Sequence, residues 1–200
     1  MPMKTLWGPM IEAMDRVSAA APPRSVAEVA ALMQALTGDA LAVTCDPTMT
    51  LPWGRYLVHA DPAGRYNVQL DVFSSGYEGA IHGHGTWGIF WVLQGALMVR
   101  DFELALGTAR AQRAALLGAG GAQCFCPPVS DWHQVGTPAE GPQTVSLHLY
   151  GPGFDLDEGV YFAEMTKDGA GPTPYRRGPL GDPARVLPGL RVHAGRGGSA

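Results

Sequence analysis

The sequence predicts a mainly β protein: a closed barrel of short strands preceded by two helices. Three observations carry this. Apolar residues make up 46% of the 200-residue chain and charged residues 16%, which fits one globular domain with a full core. Residues 1–40 show apolar positions at helical spacing. From about residue 50, short runs rich in Val, Leu, Tyr, Phe and Trp alternate with Gly, Pro and Asp turns, which suggests a closed all-β architecture rather than βαβ units.

The first helix is read from Leu6, Met10, Ile11, Met14 and Val17, and Pro22-Pro23 interrupt the pattern. Ser25 opens a second helix. Glu28 stands three residues on, matching a capping box in which each side chain satisfies a free backbone N–H. Val26, Val29, Leu32, Met33 and Leu36 form its expected buried stripe, with Gly38 as the expected stop. Strands follow at Arg55–His59, Tyr66–Phe73, Ile89–Leu93, Ala96–Leu104, Gln123–Cys126, His133–Val135 and Val145–Tyr150. The Ala-rich stretch 108–119 has no clear period and reads as an irregular strand pair or a short helix. After about residue 165 the chain is rich in Gly, Pro and Arg, and Gly195–Ala200 reads as a loose tail. The expected organisation is one domain: a helical segment (1–45) packed on a barrel (46–165), then a Gly- and Pro-rich extension (166–200) whose role the sequence leaves open. No internal repeat is present.

Charge and composition exclude several classes of partner. A formal charge of -4 without a Lys/Arg cluster argues against nucleic acid. No apolar run approaches the roughly 18 residues of a membrane span. The opening Met-Pro-Met-Lys lacks the apolar core and cleavage site of a signal peptide. Cys45, Cys124 and Cys126 cannot all pair, so no disulfide framework is expected. A cytoplasmic protein follows as the expectation.

The chemistry centres on Gly79-Ala80-Ile81-His82-Gly83-His84-Gly85-Thr86-Trp87-Gly88. Residues two apart on a strand share a face, so His82 and His84 would project into one barrel interior. Neutral imidazole is a ligand for iron, zinc and copper alike. A third element lies downstream, Pro128-Val129-Ser130-Asp131-Trp132-His133. Together these stretches resemble the two motifs of the cupins. Gly76, His82, His84 and Gly95 fall on the first motif, G-x5-H-x-H-x3-E-x6-G, with Gly88 at its Glu position. Pro128, Ser130 and His133 follow the second, P-x-G-x2-H, with Ser130 in place of Gly. The resemblance implies a double-stranded β-helix, a jelly-roll barrel, and a neutral metal site of His82, His84 and His133.

Within the cupins the chain resembles the thiol dioxygenases, the cysteine dioxygenase family, over residues 50–155. Ser146-Leu147-His148-Leu149-Tyr150 is similar to the Ser-x-His-x-Tyr triad of that family, and Arg55-Tyr56-Leu57-Val58 to the segment whose arginine binds a substrate carboxylate. The run at His82 is similar to the H-D-H-T-x-W-G of the 3-mercaptopropionate branch, which usually lacks that arginine. Mammalian cysteine dioxygenases crosslink a cysteine near this chain's Gly88 or Ile89 to the triad tyrosine; no cysteine stands here, so Tyr150 is expected without a crosslink.

The resemblance implies an Fe(II) cofactor, a small thiol and O2 as the partners, and a sulfinate as product. The thiol would bind as thiolate, supplying the negative charge that the missing Glu would have given. Tyr150 is expected to donate a hydrogen bond to bound substrate or oxygen, oriented by His148 and then Ser146. Arg55 would pair with a carboxylate, and Trp87, Phe90 and Trp91 would keep water away. Cysteine, 3-mercaptopropionate, mercaptosuccinate, cysteamine and ergothioneine all stay open as substrates. Two rival readings remain. One is a zinc or nickel cupin enzyme, since three histidines suit those metals too; the other is a non-catalytic binding cupin. His59 and His193 are read as surface residues, Cys124 and Cys126 as core or surface, and Trp53 and Tyr77 as residues of the pocket mouth.

Overall fold

The computed structural model describes residues 6–18, 22–106, 108–152 and 180–192, with the backbone of the strands Tyr161–Met165 and Pro172–Arg176. Helix α1 (Gly8–Ser18) and helix α2 (Val26–Ala40) form where the apolar spacing places them. Ser25 caps α2: its Oγ accepts the Glu28 N–H at 3.2 Å, and the Glu28 carboxylate accepts the Arg24 N–H at 2.7 Å. Two expectations change here. Gly38 lies inside α2, which runs on to Ala40, because its backbone does not enter the left-handed region that ends helices. Val17 is 42% exposed, so the buried stripe of α1 closes at Met14.

The strands are β1 (Val43–Cys45), β2 (Gly54–Ala60), β3 (Asn67–Phe73), β4 (His82–Gly83), β5 (Gly88–Gln94), β6 (Ala96–Ala105), β7 (Thr108–Gly118), β8 (Ala122–Phe125), β9 (His133–Gly136), β10 (Thr144–Tyr150), β11 (Tyr161–Met165), β12 (Pro172–Arg176) and β13 (Leu190–Val192). They make a five-stranded sheet in the order β2-β3-β10-β5-β8 and a six-stranded sheet in the order β12-β11-β4-β9-β6-β7. A third, small pair joins β1 to β13. All these strand pairings are antiparallel.

The fold is a double-stranded β-helix, a jelly-roll barrel, with two N-terminal helices. Its layers follow from which face of each strand is apolar. Phe73, Phe90, Val92, Phe125 and Tyr150 of the first sheet meet Leu97, Val99 and Val135 of the second, filling the barrel interior. The alternate residues Val68, Leu70, Ile89, Trp91, Leu147 and Leu149 pack outward with Met10, Met14, Leu32 and Leu36 of the helices. Strands β3 and β10 are therefore buried on both faces. Trp91 joins the layers, donating from Nε1 to the Thr37 hydroxyl of α2 at 3.1 Å. It faces the helices rather than the interior, as does Trp87; of the three aromatics expected as an inner wall, Phe90 alone is inside.

The stretch 108–119 is one long strand, β7, in a hairpin with β6. It lacked a period because both its faces are largely exposed. Strand β12 extends the six-stranded sheet through β11, and β13 pairs with β1. Strand β11 also pairs with β4, setting Glu164 opposite His82. His193 and Gly195–Ala200 lie outside the described residues. Among the described residues no helix is long and apolar enough to cross a membrane.

Trp91 is fully buried and bonded to α2, so Trp91→Ala should cost about 3–5 kcal/mol of stability. Urea unfolding of the two proteins measures it.

Candidate metal centre

The centre begins with a strand register. Pairing of β4 with β9 sets His82 directly opposite His133, and His84 follows two residues after His82. All three rings are buried, and one nitrogen from each lies within 4.8 Å of the others. His82 Nδ1 lies 2.9 Å from the Ala80 carbonyl and His133 Nδ1 lies 2.7 Å from the Asp131 carbonyl. A carbonyl only accepts, so both Nδ1 atoms carry the proton and both Nε2 lone pairs face the centre. That is the usual arrangement of a metal-ligating histidine. Burial holds His133 below the usual histidine pKa, which keeps its ring neutral and able to ligate. His84 Nε2 and His133 Nε2 stand 3.4 Å apart. A three-imidazole set of this kind fits a borderline metal ion such as iron, zinc or nickel.

Asp131 locks the set together, a role the sequence reading did not assign. Its carboxylate accepts the backbone N–H of His84 at 2.8 Å and of Gly85 at 2.9 Å, while its own carbonyl takes His133 Nδ1. One residue thus orients ligands on two strands. Burial pushes the Asp131 carboxyl up, against the lowering effect of those two N–H groups. Gly83 permits the approach, since a Cβ there would lie 2.9 Å from Asp131 Oδ2.

Gly88, where the cupin motif carries Glu, is opposite Tyr150 on one side and Phe125 on the other. A Cβ at Gly88 would lie 2.8 Å from two carbons of the Phe125 ring. That ring stacks on His84 at a centroid distance of 5.0 Å and stands 4.9 Å from His133. Phe125 occupies the room that a fourth ligand, or a crosslinking cysteine, would need.

Beside the histidines runs a buried relay. Ser146 Oγ lies 2.8 Å from His148 Nε2, and His148 Nδ1 lies 2.9 Å from the Tyr150 hydroxyl. The Tyr150 ring packs against His84 with centroids 4.8 Å apart, which sets the last residue of the relay beside one of the three histidines. Across the ladder from these residues β3 carries Asp71, Gln69 and Asn67, opposite Ser146, His148 and Tyr150 respectively. Arg55 on β2 joins this inner row. Its Nη2 donates to Gln69 Oε1 at 3.1 Å, and its Nε stands 3.5 Å from Asp71 Oδ2. Arg55 thus has a built-in counter-ion that its own segment did not reveal. The sequence signal was the alternation Asn67, Gln69, Asp71 within an apolar strand.

The remaining expectations distribute plainly. His59 is half-buried against Tyr66, at 5.5 Å between ring centroids. Tyr77 packs on Phe73 at the edge of the interior, and Trp53 is exposed. Cys126 is buried and Cys124 half-buried, and burial raises both thiols, keeping them protonated.

No protein-family profile matches the chain. Among solved structures it is similar to an RmlC-like cupin protein from Ralstonia eutropha, at 16% identity over 66% of this chain and 78% of that one, with a TM-score of 0.45. It is also similar to a hydroquinone 1,2-dioxygenase solved with Cd2+ and 4-hydroxybenzonitrile, at 14% identity over 52% and 67% of the two chains, with a TM-score of 0.41. A third similarity is to KdgF from a Halomonas species, at 24% identity over 50% and 79%, with a TM-score of 0.38.

Two outcomes follow from this geometry. Asp131→Ala should weaken binding of Co2+ or Zn2+ by about 10- to 100-fold in calorimetric titration, because it frees His84 and the turn after it. Gly88→Cys should cost about 1–3 kcal/mol in urea unfolding through overpacking against Phe125, and the same change should cost less when made in a Phe125→Ala background.

Proposed function

We propose that the protein is an Fe(II)-dependent thiol dioxygenase, joining both atoms of O2 to the sulfur of a small thiol to give a sulfinate. The observation that carries this reading is the pairing of an all-histidine centre with a buried Ser146–His148–Tyr150 relay packed against one of its ligands. Three neutral imidazoles add no charge of their own, which suits a site whose anionic ligand arrives as substrate thiolate. Fe(II) held by His82, His84 and His133 would supply the binding positions for thiolate and O2 and the redox chemistry that joins them.

The chain's own residues do the rest. Asp131 orients His84 and His133. Phe125 and Phe90 make the inner wall apolar around the centre and limit water there. Tyr150 presents its hydroxyl to the reacting ligands, held by His148. Arg55 is the cation of the inner row and serves a substrate carboxylate, with Asp71 and Gln69 fixing its guanidinium plane.

Oxygen consumption by the iron-loaded protein with cysteine, 3-mercaptopropionate, mercaptosuccinate, cysteamine and ergothioneine tests the reading. Uptake of one O2 per thiol with at least one of them, yielding the sulfinate, is the expected result. No uptake with any of them, despite bound iron, rejects the reading in favour of a zinc or nickel cupin enzyme or a binding protein. Arg55→Ala should raise KM for a carboxylated thiol about tenfold to a hundredfold, the loss of a charge-assisted pair of about 1.5–3 kcal/mol, while leaving cysteamine little changed. Equal effects on both would remove Arg55 from the site.

A further inference from the structure

We propose that Asp71 is a positioning residue that sets the direction of hydrogen bonding through the relay, so that Tyr150 offers an acceptor, not a donor, to the metal side. The relay by itself has no direction. A neutral His148 carries one N–H, and each of its nitrogens faces a hydroxyl, Ser146 Oγ at 2.8 Å and Tyr150 at 2.9 Å. A hydroxyl both donates and accepts, so either tautomer satisfies both contacts. Among the described residues, a charge beside one of the two nitrogens breaks the symmetry. Asp71 Oδ2 lies 3.8 Å from His148 Nε2, in a side chain only 4% exposed. That distance is too long for a hydrogen bond, but in a buried site a carboxylate acts strongly through its charge. A negative charge beside Nε2 favours an N–H there and disfavours a lone pair.

One further contact keeps that carboxylate in place. Arg55 Nε stands 3.5 Å from the same Oδ2. The β2–β3–β10 ladder sets Arg55, Asp71 and Ser146 side by side. Asp71 Oδ1 is buried with no hydrogen-bond partner among the described residues, so the carboxylate spends its field on Arg55 and His148. With Nε2–H donating to Ser146, His148 Nδ1 must accept, and the Tyr150 O–H is committed to it. The phenolic oxygen then has lone pairs, and no proton, left to offer, on a ring that packs against His84. This reverses the polarity that the family resemblance implied.

The consequence for catalysis rests on the reading above, whereas the hydrogen-bond direction does not. When a thiol becomes a thiolate, its S–H bond breaks and its proton forms an O–H bond at Tyr150. The phenolic proton moves to His148 Nδ1, and Asp71 faces the resulting imidazolium. No electron changes hands in that step, and Asp71 stands to His148 as the carboxylate of a catalytic triad stands to its histidine.

The test is 15N NMR of histidine-labelled, metal-free, full-length protein, which needs neither iron nor turnover. In the wild type His148 should be protonated at Nε2. Asp71→Asn, of nearly the same shape, removes the charge and should give a mixture in which Nδ1–H is readily seen, whereas Ser146→Ala should keep Nε2–H. Protonation at Nδ1 in the wild type would overturn the proposal. So would an unchanged tautomer in Asp71→Asn, or its loss in Ser146→Ala, since Ser146 would then be the determinant. Wild type and Ser146→Ala decide the matter even if Asp71→Asn does not fold. Absence of thiol oxidation would leave the NMR result untouched, so the two failures are distinguishable.

Discussion

Three imidazole nitrogens aimed at one another inside an apolar barrel are the constraint on which the rest of this structure depends. Two of them, at His82 and His133, cannot donate towards the centre, because their protons are committed to backbone carbonyls. Lone pairs converging in a buried, apolar site are costly, and a metal cation relieves that cost. The surroundings make sense as devices that hold this arrangement. The β4–β9 register brings the first and third histidines face to face, and Asp131 binds the turn carrying His84 to the segment carrying His133. Strand β11 flanks β4 on its other edge, so the ligand-bearing strand is hydrogen-bonded on both sides.

The same barrel separates two kinds of polarity. On the six-stranded sheet the histidines converge on a single point. On the five-stranded sheet Arg55, Gln69, Asn67, Asp71, Ser146, His148 and Tyr150 form a continuous polar row, and every member named here contacts another. A buried ion pair stands poorly on its own. Arg55 and Asp71 are therefore best understood through what they touch: Gln69 on one side and His148 on the other. Phe125 and Phe90 fill the space between the two polar regions, and Phe125 stands where a side chain at residue 88 would otherwise approach the three histidines.

Much of this was legible in the residues. Local chemistry carried the capping of α2 by Ser25 and Glu28, most strand positions, and the shared face of His82 and His84. Motif spacing carried His133 and the run from Ser146 to Tyr150. What stayed hidden depended on contacts between distant strands. Asp131 was in view beside His133, but its grip on His84 crosses 47 positions of sequence. Asp71 meets Arg55 and His148 only once β2, β3 and β10 are aligned. Gly88 announced a missing ligand, while the reason for it, Phe125, lies on a strand that pairs with β5 through tertiary structure alone. Strand β12 was missed because two of its five residues are prolines, which have weak strand propensity, and β13 because it is three residues long and its partner β1 lies far upstream.

The central claim is a metal held by three histidines and no carboxylate, open to sulfur. X-ray absorption of the Fe(II)-loaded protein tests it most directly, recorded before and after addition of a thiol that the protein oxidises, under exclusion of O2. The account predicts three imidazoles around the iron in both states and a sulfur neighbour that enters only with the thiol. Fewer than three imidazoles, or a first shell that sulfur never enters, would contradict it.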